Sequence, residues 1–305
     1  MSDSLITIAD HIRYAFSRFN QEQVFFGHGT DNAWDEAVSL VLQVLHLPWD
    51  FSTQMWTCRI TPQEQEQVTQ AIDLRINKRM PLAYITKQAW FCGHRFNVDE
   101  RVLVPRSPIG ELINNRLQPW LTNEEPATIL DLCTGSGCIG IAAALEFDEA
   151  EVDILDISTD ALEVAQSNIA EYQLENSVKA YQSDVFSVFS NTDLFPDKAQ
   201  GRYDVILSNP PYVDKQDYDS MPAEFEREPK LGLVAGEDGL DIVRRMLAEA
   251  SQYLKDDGLM IVEVGNSWEA LEMAFADFPF TWVEFEHGGH GVFAIRADEL
   301  KSRVW

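Results

Sequence analysis

Near the start of the chain, apolar residues recur at helical spacing over Ile6–Phe19 and Trp34–Leu45. Pro62 then opens a Gln- and Glu-rich stretch through Arg79, with Val68, Ile72 and Ile76 on one side. This pattern predicts a small helical domain over residues 1–85, which alone implies no chemistry. Between Trp90 and Val104 the period changes. Phe91–Phe96 and Arg101–Val104 read as short strands around a turn, closed by Pro105 and Pro108, so residues 86–108 read as a β-hairpin linker.

From residue 109 onward the pattern alternates strand and helix. Ala127–Leu132, Val152–Leu155, Val178–Gln182, Tyr203–Ser208 and Gly258–Val264 are apolar runs of strand length. Helical stretches follow at Ile139–Leu145, at Thr159–Glu171 with Ser158 as N-cap, at Leu240–Leu254 and at Ser267–Phe278. The alternation predicts an α/β domain over 109–305 built on a doubly wound, mostly parallel sheet. Thr281–Phe285 and Val292–Arg296 end the pattern differently. Only Glu286-His287-Gly288-Gly289-His290-Gly291 joins them, too short for a helical crossover, so they must pair as an antiparallel hairpin at the sheet edge.

Two of the strand ends carry chemistry. The first gives way to Asp131-Leu132-Cys133-Thr134-Gly135-Ser136-Gly137-Cys138-Ile139-Gly140, where Gly135, Gly137 and Gly140 satisfy the dinucleotide fingerprint and Asp156 follows at the end of the next strand, where an acidic residue binds ribose hydroxyls. A nicotinamide dinucleotide is one reading of this loop. S-adenosylmethionine is the better one: Asp131 precedes the glycines, where it can organise the loop and approach a cationic amino-acid group, and the terminal hairpin is the ending expected of a methyltransferase sheet. Asp184, after the third strand, is placed to accept from an adenine amino group, although an ordinary strand-end turn explains it too.

The fourth strand ends in Asn209-Pro210-Pro211-Tyr212. The Asn209 carbonyl can accept one hydrogen bond from a planar NH2 group and the Pro210 carbonyl a second. The two prolines stiffen that presentation. The Tyr212 ring can pack on the flat face of the bound group, so such a site holds an amide or amino nitrogen toward an electrophile. A strand followed by a proline-capped loop remains the plain structural alternative.

Charge narrows the partners. Residues 1–108 carry 10 basic and 12 acidic groups, whereas 109–305 carry 13 and 38, within a formal total of -27. A phosphate backbone is repelled by that second half, so no direct nucleic-acid binding is expected. A basic protein chain is attracted to it. Solubility alone explains the acidity equally well. Asp214, Asp217, Asp219, Glu224, Glu226 and Glu228 flank the tetrapeptide and read either as a solvated loop or as a surface for a basic protein. Cys58, Cys92, Cys133 and Cys138 make neither a disulfide framework nor a metal cluster. Met1-Ser2-Asp3-Ser4 lacks a basic leader and no apolar run approaches a membrane span, so a soluble, cytoplasmic protein is expected.

Taken together, Asp131-Leu132-x-x-Gly135-x-Gly137, Asp156 and Asn209-Pro210-Pro211-Tyr212 resemble the HemK-like class I methyltransferases that modify protein glutamine side chains. Val104-Pro105-Arg106, Glu228-Pro229 and Gly236-x-x-Gly239-Leu240 extend the resemblance, which covers essentially the whole chain. It implies a Rossmann-like, seven-stranded fold that transfers a methyl group from S-adenosylmethionine to glutamine N5 and releases S-adenosylhomocysteine, without metal. By resemblance the catalytic residues are Asn209, Pro210 and Tyr212, joined by Pro211 and Leu103 in substrate binding. Leu103 reads equally as linker packing. Asp131, Cys133, Thr134, Gly135, Ser136, Gly137, Asp156, Ile157, Asp184, Val185 and Asn209 are then the cofactor-binding set. Some relatives place Trp where this chain has Val185, so the adenine contact expected there is weaker.

Two branches of that family differ in substrate, one modifying peptide release factors and the other the third large-subunit ribosomal protein. Phe25-Phe26-Gly27-His28-Gly29-Thr30-Asp31-Asn32, Asp99-Glu100-Arg101 and the run through Ser107-Pro108-Ile109, and Glu284-Phe285-Glu286 look like the ribosomal-protein branch. An amino-methyltransferase of DNA adenine or RNA guanine is the rival outside the family, because a planar exocyclic amine fits the same tetrapeptide. None of the six histidines lies in a catalytic motif; His28 reads as a turn or substrate-binding residue.

Overall fold

The computed structural model describes residues 5–121 and 125–305; the opening Met1–Ser4 run lies outside them. Helices α1 (Ile8–Gln21), α2 (Ala33–Val44), α3 (Pro62–Asn77) and α4 (Leu82–Thr86) form the N-terminal cluster. Local sequence sets their starts. Thr7 and Asp10 make a reciprocal capping box, Asn32 accepts from the Asp35 amide, and Thr61 and Glu64 cap α3 with Pro62 at its first turn. Ile12, Phe19, Leu40, Val41 and Ile72 bury the inward faces in one core. That core ends inside α4: Leu82 belongs to it, whereas Ala83 and Tyr84 pack into the next one.

The linker differs from the sequence expectation. Its hairpin pairs β1 (Gln88–Phe91) with β2 (His94–Asn97), so the run read as one strand contains the turn. Cys92 and Gly93 both have positive φ, 51° and 78°, the geometry of a two-residue hairpin turn whose twist matches the strands. Arg101–Val104 forms no strand; its buried Val102 and Val104 pack as irregular chain.

After α5 (Ile109–Asn114) the chain builds β3 (Thr128–Leu132), α6 (Cys138–Glu146), β4 (Glu151–Asp156), α7 (Thr159–Glu171), β5 (Val178–Gln182) and β6 (Tyr203–Ser208). Then follow α8 (Lys215–Ser220), α9 (Asp241–Glu249), β7 (Leu254–Glu263), α10 (Trp268–Ala274), β8 (Thr281–Trp282), β9 (Val292–Arg296) and α11 (Ala297–Lys301). The order across the seven-stranded sheet is β5-β4-β3-β6-β7-β9-β8. The first five run parallel and β9 pairs antiparallel with both β7 and β8, as the short final connection requires. The central strands are apolar on both faces because helices cover both. Ile129, Val205 and Leu207 belong to one core; Leu130, Ile206 and Val262 belong to the other.

Element boundaries move most toward the end of the chain, where the helix read over Ser267–Phe278 keeps only Trp268–Ala274. The helix read over Leu240–Leu254 stops at Glu249 and the strand begins at Leu254 rather than Gly258, because Leu254 pairs with Tyr203 across an irregular register. The strand read over Thr281–Phe285 keeps only Thr281 and Trp282. Among the described residues no helix is long and apolar enough to cross a membrane.

Candidate active site

In this strand order the chain moves outward from β3 to β4 and β5, then returns to the other side of β3 as β6. The reversal between β3 and β6 leaves a crevice at their carboxyl ends, where open α/β sheets bind ligands. A cavity of about 520 Å³ occupies it, walled by the loop after β3, the ends of β4, β6 and β7, the linker, and the loop before β9. Every residue expected at the site lines this cavity except Asp131 and Gly137.

Asp131 lies fully buried beneath the glycine loop. One carboxylate oxygen accepts from the Thr134 hydroxyl and, at 2.9 Å, from the Gly140 amide, which ties the loop to the first turn of α6. Its other oxygen has no partner among the described residues. Burial pushes the Asp131 carboxyl up to about 7 against those two hydrogen bonds. The residue therefore organises the loop from behind rather than forming the cavity wall. Gly137 needs its positive φ of 81° to turn into α6, and a Cβ there would crowd Ile141 and Ala165. Gly135 also has positive φ, 57°, and faces open space.

Asp156 reaches back to the same loop. It accepts from the Gly135 and Ser158 amides at 2.9 Å each while remaining at the cavity wall. Exposed Ile157 continues that wall. Across it stand Asp184, which pairs with Arg245 at 2.7 Å, and Val185, a β-branched residue held at a φ of 52°. A left-handed valine is a strained backbone kept next to a cavity. Buried Ser136 presents a hydroxyl without a partner among the described residues. An unpaired hydroxyl and an open glycine surround a space bounded by acidic Asp156 and apolar Ile157. This donor set fits a ribose, a flat apolar base and a charged amino-acid group, as S-adenosylmethionine carries.

On the other side of the crevice, Asn209 and Pro210 end β6 beside the glycine loop. Asn209 is half-buried, and among the described residues no hydrogen bond engages its carboxamide. Tyr212 is restrained at three points. Its hydroxyl donates to Glu263 at 2.8 Å, its carbonyl accepts from Ser267 at 2.7 Å, and Gly265 lies against its ring. A Cβ at Gly265 would stand 2.4 Å from the ring, and one at Gly239 would stand 2.2 Å from the Tyr212 carbonyl oxygen. Leu103 both lines the cavity and packs on Gly232, where a Cβ would meet it at 2.0 Å, so the two readings of that residue coexist.

The acidic stretch after the tetrapeptide divides in two. Glu224 and Glu228 are buried, which neither a solvated loop nor a partner surface accounts for. Glu224 accepts from the Phe25 amide at 3.1 Å and from buried Arg75 at 3.3 Å, and so fastens the N-terminal helices; Arg75 also pairs with Glu36. Glu228 receives both arms of Arg106 at 2.7 Å and the Val104 amide at 3.0 Å. His28 lies 3.4 Å from Glu228 and stacks obliquely on Phe225, so it is a buried seam residue. Asp214 caps α8 by accepting from the Asp217 amide at 2.7 Å, and Asp217, Asp219 and Glu226 remain available to a partner, with Asp217 at the cavity.

Comparison with known proteins agrees with this geometry. The model of the methyltransferase small domain matches residues 115–225, which span the glycine loop and the tetrapeptide. The ribosomal protein uL3 glutamine methyltransferase of Francisella tularensis subsp. tularensis (strain SCHU S4 / Schu 4) is 47% identical over 98% of this chain and 92% of its own length. That of Burkholderia pseudomallei (strain K96243) is 46% identical over 97% and 96%. The chain belongs to the ribosomal protein uL3 glutamine methyltransferase family. It is thus a methyltransferase, and its family implies S-adenosylmethionine as donor.

Glu263, Gly265 and Arg245 are cavity or near-cavity residues that motif reading passed over. Glu263 had a signal, since it is the one charged residue closing the apolar run Leu259–Val262. The others had none, because their roles depend on approaches between segments distant in sequence.

Proposed function

We propose that this protein transfers the methyl group of S-adenosylmethionine to the side-chain nitrogen of a glutamine in ribosomal protein uL3. The reading rests on one observation above all: Asn209 and Pro210 share a cavity with the glycine loop, at the switch point of the sheet, and the Asn209 carboxamide is unspent. In this reading residues 109–305 are catalytic, residues 86–108 link, and residues 1–85 recognise the protein substrate. A ribosomal substrate implies action in the cytoplasm.

The glutamine amide nitrogen is a poor nucleophile because its lone pair is delocalised. Asn209 and the Pro210 carbonyl accept its two N–H bonds and aim that lone pair, while Tyr212 packs on the amide plane and Pro211 holds the turn. Bound S-adenosylmethionine supplies an electrophilic methyl on a sulfonium, and leaves as neutral S-adenosylhomocysteine. The methylated nitrogen then loses one proton to water. No basic side chain is required before attack, so the gain comes chiefly from orientation, which can reach about 7–11 kcal/mol in well-aligned systems. Asp156 and Asp184 would hold the hydroxyls and amino group of the nucleoside, with Ile157 and Val185 against its base. Cys133, Thr134, Gly135 and Ser136 cradle the amino-acid end.

The sequence run through Ser107-Pro108-Ile109 favours the ribosomal protein over a release factor. The 38 acidic against 13 basic groups of residues 109–305 disfavour a nucleic-acid base. One experiment decides among them. Incubating the protein with labelled S-adenosylmethionine and uL3, a release factor or nucleic acid, then locating the label by mass spectrometry, is expected to find it on a uL3 glutamine. Label on a base or on a release factor alone overturns the reading.

A further inference from the structure

A single buried carboxylate joins two segments of the cavity wall that lie 105 residues apart, Ser107 in the linker and Tyr212 after β6. Glu263, the last residue of β7, accepts from the Tyr212 hydroxyl through Oε1 at 2.8 Å and from the Ser107 hydroxyl through Oε2 at 2.6 Å. Ser107 Oγ in turn accepts from the Ile109 amide at 3.2 Å, so its side chain is fixed at the start of α5. Ser267 and Gly265 fix the backbone and one edge of Tyr212, but among the described residues only Glu263 holds the phenol end.

Burying a carboxylate costs stability relative to a well-packed apolar side chain, even when hydrogen-bonded. Burial raises the Glu263 carboxyl above its ordinary range, against the hydrogen bonds from Ser107 and Tyr212. Such a cost beside an active-site cavity is explained if orientation is what it provides. An aromatic ring meant to lie flat on an amide must hold its angle to within about 10–20°, and a second anchor at the phenol end narrows its swing.

We propose that Glu263 is a positioning residue of the methyl-transfer site: it locks the Tyr212 ring and sets it in register with the linker through Ser107. The inference rests on the reading of Tyr212 as the surface on which the amide packs. Glutamine at 263 can keep the geometry, because its carbonyl accepts from Tyr212 and its NH2 group donates to Ser107 Oγ. Alanine cannot.

Two readouts test this. In E263A, turnover of uL3 is expected to fall at least about tenfold with KM and S-adenosylmethionine affinity within about threefold, a loss of orientation rather than of binding. E263Q is expected to recover most of that turnover, Y212F to resemble E263A, and the double variant E263A/Y212F to be no slower than Y212F. Wild-type turnover in E263A, equal impairment in E263Q, or multiplying losses in the double variant would each overturn the proposal. The second readout needs no substrate. With isotope-labelled tyrosine, the NMR order parameter of the Tyr212 ring axis is expected to fall in E263A and not in E263Q; an unchanged order parameter overturns the lock. Should E263A fail to fold, S107A and Y212F break the same contacts from their other ends; both are read by turnover, and S107A by the Tyr212 ring signal as well. If wild-type protein labels no glutamine while the ring is freed in E263A, the proposed reaction fails and the restraint stands.

Discussion

Arg106 and Glu228 meet through two parallel hydrogen bonds of 2.7 Å, Nη1 to Oε1 and Nη2 to Oε2, with the Glu228 side chain fully buried. This fork-to-fork pairing locks the linker onto the segment that follows the tetrapeptide. Burial works against ionising Glu228, but the Arg106 guanidinium and the His28 ring hold its carboxyl down at about 2. A carboxyl depressed below its unfolded value near 4.5 contributes stability that is complete above that pH and is lost as pH falls toward 2. Acid unfolding of the wild type is therefore expected to steepen below about pH 4.5, and E228Q to lose that part of the slope. R106K, which keeps the charge but not the fork, is expected to cost roughly 1.5–3 kcal/mol in denaturant unfolding. A wild-type stability for R106K would show that the pair is incidental.

Asn209 supports a sharper functional expectation. Among the described residues no hydrogen bond engages its carboxamide, and the glycine loop proposed to hold the donor is built by other residues. N209A is expected to bind S-adenosylmethionine within a few-fold of wild type by calorimetry while turnover drops by orders of magnitude, the signature of lost orientation. Near-normal turnover removes Asn209 from the chemistry.

Much of this site was legible because its motifs are local. The glycine loop, Asp156 and Asn209-Pro210-Pro211-Tyr212 each sit at a strand end, and strand ends of a parallel sheet converge on one edge whatever the remaining sequence. The terminal hairpin was equally readable, since six residues cannot carry a crossover. Failures came where function depends on distant approach. Asp131 was expected both to organise the loop and to approach the ligand; the first is what the folded chain shows, one carboxylate oxygen accepting from Thr134 and Gly140 behind the loop. Glu224 and Glu228 look like surface acids in a run of acids, and only the folded chain brings Arg75 and Arg106 to them. The linker turn was missed because Cys92, not a usual turn residue, takes a positive φ ahead of Gly93.

Gly265 tests how tightly the clamp is built. It has a φ of 46°, and a Cβ there would stand 2.4 Å from the Tyr212 ring. G265A therefore combines backbone strain with displacement of the ring, and should destabilise the protein by roughly 1–3 kcal/mol. Its turnover should fall more than that of G288A, which also carries backbone strain, at a φ of 90°, but whose Cβ meets nothing within 4 Å. Thermal unfolding and turnover measured side by side check this, and equal effects at the two positions would deny a special role to the contact at 265.

Asp131 carries a pH prediction. With its carboxyl pushed up to about 7, it stays protonated in the folded protein across a range where the unfolded chain, near 3.8, has already lost the proton. The stability linked to that proton is complete below about pH 3.8 and disappears as pH rises through about 7. Relative to D131N, wild-type stability is thus expected to decline from pH 4 to about 7. A cationic ligand near the loop favours the ionised form, so S-adenosylmethionine should bind more tightly at about pH 7 than at pH 6, releasing protons. Calorimetry in buffers of different ionisation enthalpy measures that release. D131N should abolish it, and a pH-independent affinity in the wild type would detach Asp131 from the ligand.

The acidic catalytic half makes a last claim about how the substrate arrives. Glu224 and Glu228 are committed to internal pairs, so the field at the cavity mouth comes from exposed Asp219 and Glu226, half-buried Asp217 and the general excess of acids over residues 109–305. Such a field accelerates encounter with a basic chain and is screened once the Debye length shrinks toward about 3 Å at 1 M salt. Association with free uL3 should slow steeply as salt is raised, while dissociation changes little. D219N/E226Q should flatten that dependence without altering S-adenosylmethionine affinity, because neither residue lines the cavity. Stopped-flow association at several salt concentrations separates the two outcomes: rates indifferent to salt would mean that the acidity serves solubility, and that uL3 is chosen by shape alone.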